Sequence, residues 1–546
     1  MIEMTLREIA DVVGGTLHDV PDPAVTVTGA VEFDSRRIGS GGLFLALPGE
    51  RVDGHDFAAA AVEAGAVAVL AARPVGVPAI VVEPLPGEKH AGERGFSGAG
   101  EREVSGAGER EVTGAGEREV SGSGERGGSR QGTAYALAHD TDGSGAAVLA
   151  ALAKLARAVV DRLVAENGLT VIGVTGSSGK TSTKDLLARV LAPLGPVVAP
   201  PGSFNNEIGH PWTALRATTD TRFLVLELSA RGHGHIKSLT EIAPPKIGVV
   251  LNVGTAHLGE FGSREAIAQA KGELVEALPA DGVAVLNADD SNVAAMASRT
   301  AARVVTVGRA EGADVRATDI VLDEAARARF TLSAKGSTVE IRLAVHGEHH
   351  VGNALAAAAV ALECGADLDT VARALSGATA ASAHRMDVRT RADGVTVIND
   401  AYNANPDSVR AALKALVTMS KAGERPRRSW AVLGEMAELG EESVVEHDRI
   451  GRLAVRLDVD RLVVVGTGRP SRGMHQGAVM EGSWGEESVL VPDIDAAIAL
   501  LDNEIAAGDV VLVKASKAVG LWVVAQHLTE SAVPAAGAEA DTEAAG

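Results

Sequence analysis

The sequence predicts an α/β protein of three domains, the middle one a mainly parallel sheet built around a phosphate-binding loop. Three observations predict it. The chain has 546 residues, too many for one hydrophobic core, because single cores stop growing near roughly 250–300 residues. Short apolar runs alternate with amphipathic helical stretches, which is how parallel strands joined by crossover helices read. The apolar run 169–174 turns through Thr175-Gly-Ser-Ser-Gly-Lys-Thr-Ser182 into a segment with Leu186, Leu187, Val190 and Leu191 on one stripe.

Met1 to Ala10 reads as a polar-faced helix, not a basic leader with an apolar core. Strands at 43–47, 67–70 and 80–82 and a helix over 57–64 make residues 1–165 a small α/β domain. It is interrupted at 84–144. There Gly-Ala-Gly-Glu-Arg at 98–102 recurs at 106–110 and 114–118, and as Gly-Ser-Gly-Glu-Arg at 122–126, a period of eight residues. So polar a repeat cannot offset its ordering entropy, and the insertion is expected to be disordered. Excising 91–132 should therefore leave activity and melting temperature at the parent's values. The shortened loop gains at most about 1 kcal/mol of closure entropy. A melting point lowered by several degrees would reveal a structural role for the repeat.

A helix over 146–165 leads into the central domain, 166–380, where strands at 171–175, 223–228, 247–252 and 283–287 alternate with helices. The C-terminal domain, 381–530, repeats the alternation in Rossmann-like form, with strands at 396–399, 430–433, 461–465 and 510–513. The Pro/Ala/Gly/Glu tail, 531–546, is expected to be disordered.

Apolar residues make up 46% of the chain, but aromatics only 3%, so alanine and valine must fill most of the core. The formal net charge of −21 argues against a nucleic-acid partner, which would call for a basic face. Cys364 is the single cysteine, which excludes an internal disulfide and suits a reducing compartment. No uninterrupted apolar run approaches the roughly 20 residues that span a bilayer. These features predict a cytoplasmic protein.

A strand that turns through glycines into a helix points backbone N–H groups and the helix dipole at one spot, a ready phosphate cradle. Within it, Lys180 can reach the β- and γ-phosphates of a nucleotide, and Thr181 offers a hydroxyl to Mg²⁺. Glu227 closes the apolar run Phe223-Leu-Val-Leu, where a carboxylate is costly unless it binds something. A hard-oxygen ligand for Mg²⁺ is its natural use. His257 follows the next strand. Lys271 lies inside an apolar helical stripe formed by Ile267, Ala270, Leu274 and Val275. Such a lysine either snorkels to solvent or is buried as a neutral amine able to form a carbamate with CO₂. Spacing alone does not choose between them.

Motifs from all three domains resemble the ATP-dependent Mur ligases of peptidoglycan synthesis, over nearly the whole chain apart from the insertion and tail. Thr175-Gly-Ser-Ser-Gly-Lys-Thr181 resembles that family's phosphate loop, and Asn252-Val-Gly-Thr-Ala-His257 with Lys271 its metal-binding histidine and carbamylated lysine. Gly347-Glu-His-His-Val-Gly-Asn353 is similar to the segment facing adenine, with His350 in place of the first asparagine. His384-Arg385 resembles the arginine motif that opens the C-terminal domain. Asp400-Ala-Tyr-Asn-Ala-Asn-Pro-Asp-Ser408, Ser203-Phe-Asn-Asn-Glu-Ile-Gly-His-Pro211, His257-Leu-Gly-Glu-Phe-Gly-Ser263 and Leu433-Gly-Glu-Met-Ala-Glu-Leu-Gly440 are similar to the members that add D-alanyl-D-alanine. The Asn-Pro-Arg motif of the diaminopimelate-adding members is absent, since Asp407 follows Pro406. Asp34-Ser-Arg36 resembles a UDP-binding domain. Val511-Leu-Val-Lys-Ala-Ser-Lys517 departs from the usual pattern at Ala515 and Lys517.

The resemblance implies a monomeric ligase that uses ATP and Mg²⁺ to join D-alanyl-D-alanine to UDP-N-acetylmuramoyl-tripeptide through an acyl phosphate. It assigns ATP to Thr175, Gly176, Ser177, Ser178, Gly179, Lys180, Thr181, Ser182, Asn353, Arg385 and Asp400. Metal would fall to Thr181, Glu227, His257 and the Lys271 carbamate, and catalysis to Lys180, Lys271, His257 and Arg385. Ser35, Arg36, Asn205, Asn206, Tyr402, Asn403 and Asn405 would bind the other substrates. Two other readings are a sister amide ligase of the folylpolyglutamate type and a non-catalytic nucleotide switch. The 400–408 motif speaks against the first, and a switch would need none of Glu227, His257 and Lys271.

Overall fold

The computed structural model describes residues 1–49, 52–84, 140, 142–482 and 487–530. The repeats and the tail, for which disorder is expected, lie outside the described residues. The C-terminal edge of the insertion comes slightly earlier than expected, because Ser144 already opens the helix Ser144–Asn167. Asp140 caps that helix by accepting from the N–H groups of Gly145 and Ala146.

The N-terminus is not helical from Met1. Met4–Thr5 pairs antiparallel with Thr26–Val27, and the helix begins at Leu6, where Thr5 and Glu8 form a capping box. Five short strands follow, in the order Thr16–His18, Ala79–Val81, Ala66–Ala71, Gly42–Leu45, Val31–Glu32. The helix expected over 57–64 is found at Ala58–Glu63, and a 3₁₀ turn at Gly54–Phe57 capped by Asp53 leads into it. Ser144–Asn167 then lays Leu152, Leu155, Val159 and Leu163 into a core shared by Leu6, Leu43 and Leu70 of this domain and Leu224 and Leu226 of the next. That shared core fixes the first domain against the second.

The central sheet has nine strands, in the order Ser337–His346, Arg327–Ala334, Val315–Leu322, Arg303–Gly308, Val283–Asn287, Ile247–Val250, Thr170–Thr175, Phe223–Glu227, Val197–Val198. Pairing is parallel from Val197 to Val315 and antiparallel across the last three strands. This antiparallel extension went unread in the sequence. Its strands alternate, with Ala328, Phe330, Leu332 and Ala334 buried, as a sheet wet on one face must. The C-terminal sheet runs Asp387–Thr390, Thr396–Asn399, Val510–Lys514, Ser429–Leu433, Arg461–Val465, Ser488–Val491, parallel except at its first strand. Both edge strands were also unread.

In the C-terminal domain the helices Ser443–Arg456 and Arg469–Glu481 meet at Gly451 and Gly477. A methyl group at Gly451 would collide with the Met474 carbonyl oxygen, which is backbone and cannot step aside. Gly451→Ala should cost about 1–3 kcal/mol by overpacking, read as a lower melting temperature. An unchanged melt would mean that the helices separate freely.

Candidate active site

The carboxyl ends of Thr170–Thr175, Ile247–Val250, Thr396–Asn399 and Val510–Lys514 open on one cleft of about 1230 Å³ between the central and C-terminal domains. Its floor is the phosphate loop, pinned by Asn252. The Asn252 side chain accepts from Ser178 N–H at 2.9 Å and donates to Ser178 O at 3.2 Å. Thr175 is buried and donates to Leu228 O, so it anchors the loop and does not face the cleft. Gly179 has φ of +84°, and a Cβ there would press on Asn353 Oδ1, so only glycine joins strand to helix at this point. The helix Lys180–Leu191 has no side-chain cap, which leaves its first N–H groups for an anion. Lys180 Nζ donates to Gly176 O at 2.6 Å. Burial holds the Lys180 amine below its usual pKa, a shift opposed by the Glu227 and Glu438 carboxylates and aided by Arg385.

Glu227 is 2% exposed. One carboxylate oxygen accepts from Thr181 at 3.2 Å and Ser203 at 3.1 Å, while Oε1 is buried without a partner among the described residues. Burial pushes this carboxyl up, against the pull of Arg385, Lys184 and Lys180. An orphaned carboxylate oxygen beside a threonine hydroxyl is a hard-oxygen donor set that fits Mg²⁺. Lys271 is likewise 2% exposed, so it does not snorkel. Its amine has no hydrogen bond or ion pair among the described residues, and burial and the neighbouring Lys180 charge hold its pKa well below the usual value. His257, in the left-handed region at φ 62°, lies 2.7 Å from a Glu438 carboxylate oxygen and 3.6 Å from Glu260. Burial lowers its pKa while Glu438 raises it, and the charges of Lys180 and Lys271 lower it further.

The C-terminal domain supplies the opposite wall. The Arg385 guanidinium stacks 4.1 Å from the Tyr402 ring, and its Nε is buried without a partner among the described residues. Asp400 is held by Lys514 at 2.6 Å and accepts from Met386 N–H. Lys514 also donates to Asn403 O at 2.8 Å. Asn405 caps the helix Pro406–Lys421 and reaches across to donate to Ser177 O at 3.3 Å. Asp407 accepts from Thr255 N–H. The two domains thus touch directly through the 400–408 segment. A second cavity of about 210 Å³ adjoins the cleft and shares Ser182, His350, Arg385 and Met386 with it.

The cleft thus gathers Ser177, Ser178, Gly179, Lys180, Thr181, Ser182, Asn205, His257, Asn353, Arg385, Asp400, Tyr402, Asn403 and Asn405. Gly176, Glu227 and Lys271 lie beneath this lining. Ser35 and Arg36 are elsewhere, on the first domain, where Arg36 is exposed and paired with Asp34 at 2.8 Å. Asn206 accepts from Gly209 N–H, capping a short helix outside the lining. Sequence reasoning assigned no role to Asn252, Glu260, Ser203, Asp407 or Glu438, although each lies within a motif it quoted. The signal for Glu438 was a carboxylate, one of two with Glu435, in the loop at the carboxyl end of the strand Ser429–Leu433.

Comparison with known proteins agrees with this geometry. Residues 174–361 match the Mur ligase middle domain, 384–517 the Mur ligase glutamate ligase domain, and 28–95 the Mur ligase family catalytic domain. The UDP-N-acetylmuramoyl-tripeptide–D-alanyl-D-alanine ligase of Mycobacterium tuberculosis is 60% identical over 542 residues, covering 97% of this chain and 98% of that protein. The enzyme of the same name from Bacillus subtilis is 31% identical, covering 97% and 99%. A crystal structure of MurF from Acinetobacter baumannii superposes with a TM-score of 0.75 at 28% identity, covering 97% and 99%. MurF ligase from Thermotoga maritima in complex with ADP gives 0.68 at 27% identity, covering 92% and 97%. With a match in each of its three domains and relatives along nearly its whole length, the chain belongs to the Mur ligase family.

Proposed function

We infer that the chain is an ATP-dependent, ADP-forming ligase that joins D-alanyl-D-alanine to UDP-N-acetylmuramoyl-tripeptide, giving the pentapeptide precursor of peptidoglycan. The observation that carries this reading is the cleft where a phosphate loop and Arg385 converge from two domains, with the orphaned Glu227 oxygen beneath its floor. A carboxylate is inert to amines until it is phosphorylated. Its oxygen attacks the γ-phosphorus, ADP leaves, and an acyl phosphate forms. The dipeptide amine then attacks the acyl carbon, and inorganic phosphate leaves from a tetrahedral intermediate.

The protein's part is positioning and charge neutralisation. Lys180 and the first N–H groups of its helix hold the transferred phosphoryl group, and Arg385 meets it from the opposite wall. Tyr402 keeps that guanidinium in place by stacking. Thr181 and Glu227 would hold Mg²⁺, which when bound neutralises phosphate charge. His257 and a carbamate on Lys271 would hold or orient a second ion. The Lys271 amine, buried and without a partner among the described residues, supports the carbamate, because a neutral amine reacts with CO₂ and an ammonium does not. The absence, among the described residues, of a helix long and apolar enough to cross a membrane and a single cysteine are in keeping with a cytoplasmic site.

The test is phosphate release by the purified protein with ATP and UDP-N-acetylmuramoyl-tripeptide, with and without D-alanyl-D-alanine. Sustained release should require both. Equal release without the dipeptide would indicate a hydrolase or a switch instead.

A further inference from the structure

The helix that carries Lys180 and Thr181 also carries, one turn later, Lys184 and Asp185 on the same face. This pair is buried, at 3% and 9% exposure. Buried ion pairs are retained at a cost in desolvation unless every hydrogen-bonding position is used. Here they are used to tie three segments together. Lys184 Nζ donates to Asp185 Oδ1 at 2.7 Å and to Pro200 O at 2.6 Å. Asp185 Oδ2 accepts from Ser382 N–H at 3.0 Å. The Ser382 hydroxyl accepts from Gly202 N–H at 3.0 Å, and Ser382 is itself buried.

The tied segments are those that deliver cleft residues. Ser203, next to Gly202, donates to the Glu227 carboxylate. Arg385 follows three residues after Ser382, in the linker that enters the C-terminal domain. We propose that Lys184, Asp185 and Ser382 form a positioning joint, which sets where Arg385 and Ser203 fall relative to the phosphate loop. The inference rests on the ligase reading above. None of the three residues touches the reacting atoms in this role. They act through Arg385 and Ser203, so their loss should lower turnover more than nucleotide affinity, because the phosphate loop itself is pinned separately by Asn252.

Ser382→Ala removes the hydroxyl arm, and Ser382→Thr retains it. Lys184→Met with Asp185→Leu replaces the ion pair by apolar groups, leaving no unpaired charge to unfold the chain. For each we would measure kcat, the KM for ATP, the Kd for ADP and the melting temperature. Ser382→Ala and the double variant should lose about tenfold or more in kcat, since a misplacement of roughly 1 Å can cost about a hundredfold. ADP affinity should stay within about twofold of the parent, where one RT of free energy is already nearly threefold. Ser382→Thr should recover most of the loss. An unchanged kcat in Ser382→Ala, or losses in kcat and ADP affinity that together follow the melting temperature, would overturn the joint. So would failure of threonine to rescue. If the double variant does not fold, the Ser382 pair decides. A parent without ligase activity would count against the ligase reading instead. Amide exchange in the linker 379–386, faster in both variants than in the parent, reads the joint without any substrate, and unchanged exchange would overturn it.

Discussion

Lys180→Ala should lower ligation turnover by about a hundredfold to a thousandfold, the usual loss when one preorganised charge is removed from a transition state. The melting temperature should stay near the parent's. Lys180 is half-buried at the mouth of a loop whose shape depends on other contacts, namely Asn252 on Ser178 and the Thr175 hydroxyl on Leu228 O. Its one hydrogen bond is to Gly176 O, so alanine leaves one loop carbonyl to water. The loss should fall mainly on kcat, because the transferred phosphoryl group gains charge contacts only as it moves. A variant with near-normal turnover would place phosphoryl transfer away from this loop.

Lys271→Ala should lose about a hundredfold in activity, as removal of a group that holds or orients a metal typically does. Folding should survive, because the native amine sits buried without a partner among the described residues, and truncation removes a polar group from an apolar face. Lys271→Arg should not substitute, since guanidinium stays positive and forms no stable carbamate. A small carboxylic acid added to Lys271→Ala should restore part of the activity by placing an anion where the proposed carbamate would stand. Protein equilibrated with ¹³C-bicarbonate should show a carbamate carbon signal that Lys271→Ala lacks. An active arginine variant, or a parent without that signal, would leave Lys271 a merely buried amine.

Much of this was legible in the sequence where the determinants are local. The phosphate loop announces itself because glycine, lysine and threonine must follow a strand in a fixed order. The parallel strands 283–287, 396–399 and 461–465 were bounded correctly because strands buried on both faces read as unbroken apolar runs. The three strands of Val315–His346 were missed because half their residues face water, and arginines and threonines mask the alternation. At the N-terminus, the capping residue Thr5 outweighed the helical pattern before it. Contacts between domains were the least legible part. Glu438 against His257, Asn405 against Ser177 and Ser382 against Asp185 are each separated by well over a hundred residues, and no periodicity encodes such pairings. The Asp400–Lys514 pair lies within the C-terminal domain but also joins residues 114 apart, and it ties Lys514 into the cleft wall despite the changed residues beside it.

In the proposed reaction this cleft activates a carboxylate by phosphorylation. The most direct measurement follows oxygen. UDP-N-acetylmuramoyl-tripeptide labelled with ¹⁸O in its terminal carboxylate is ligated to D-alanyl-D-alanine, and the released phosphate is weighed by mass spectrometry. An acyl phosphate requires one carboxylate oxygen to leave with each phosphate, so every phosphate formed from fully labelled substrate should carry a single ¹⁸O. Unlabelled phosphate, with the amide nevertheless formed, would contradict the account.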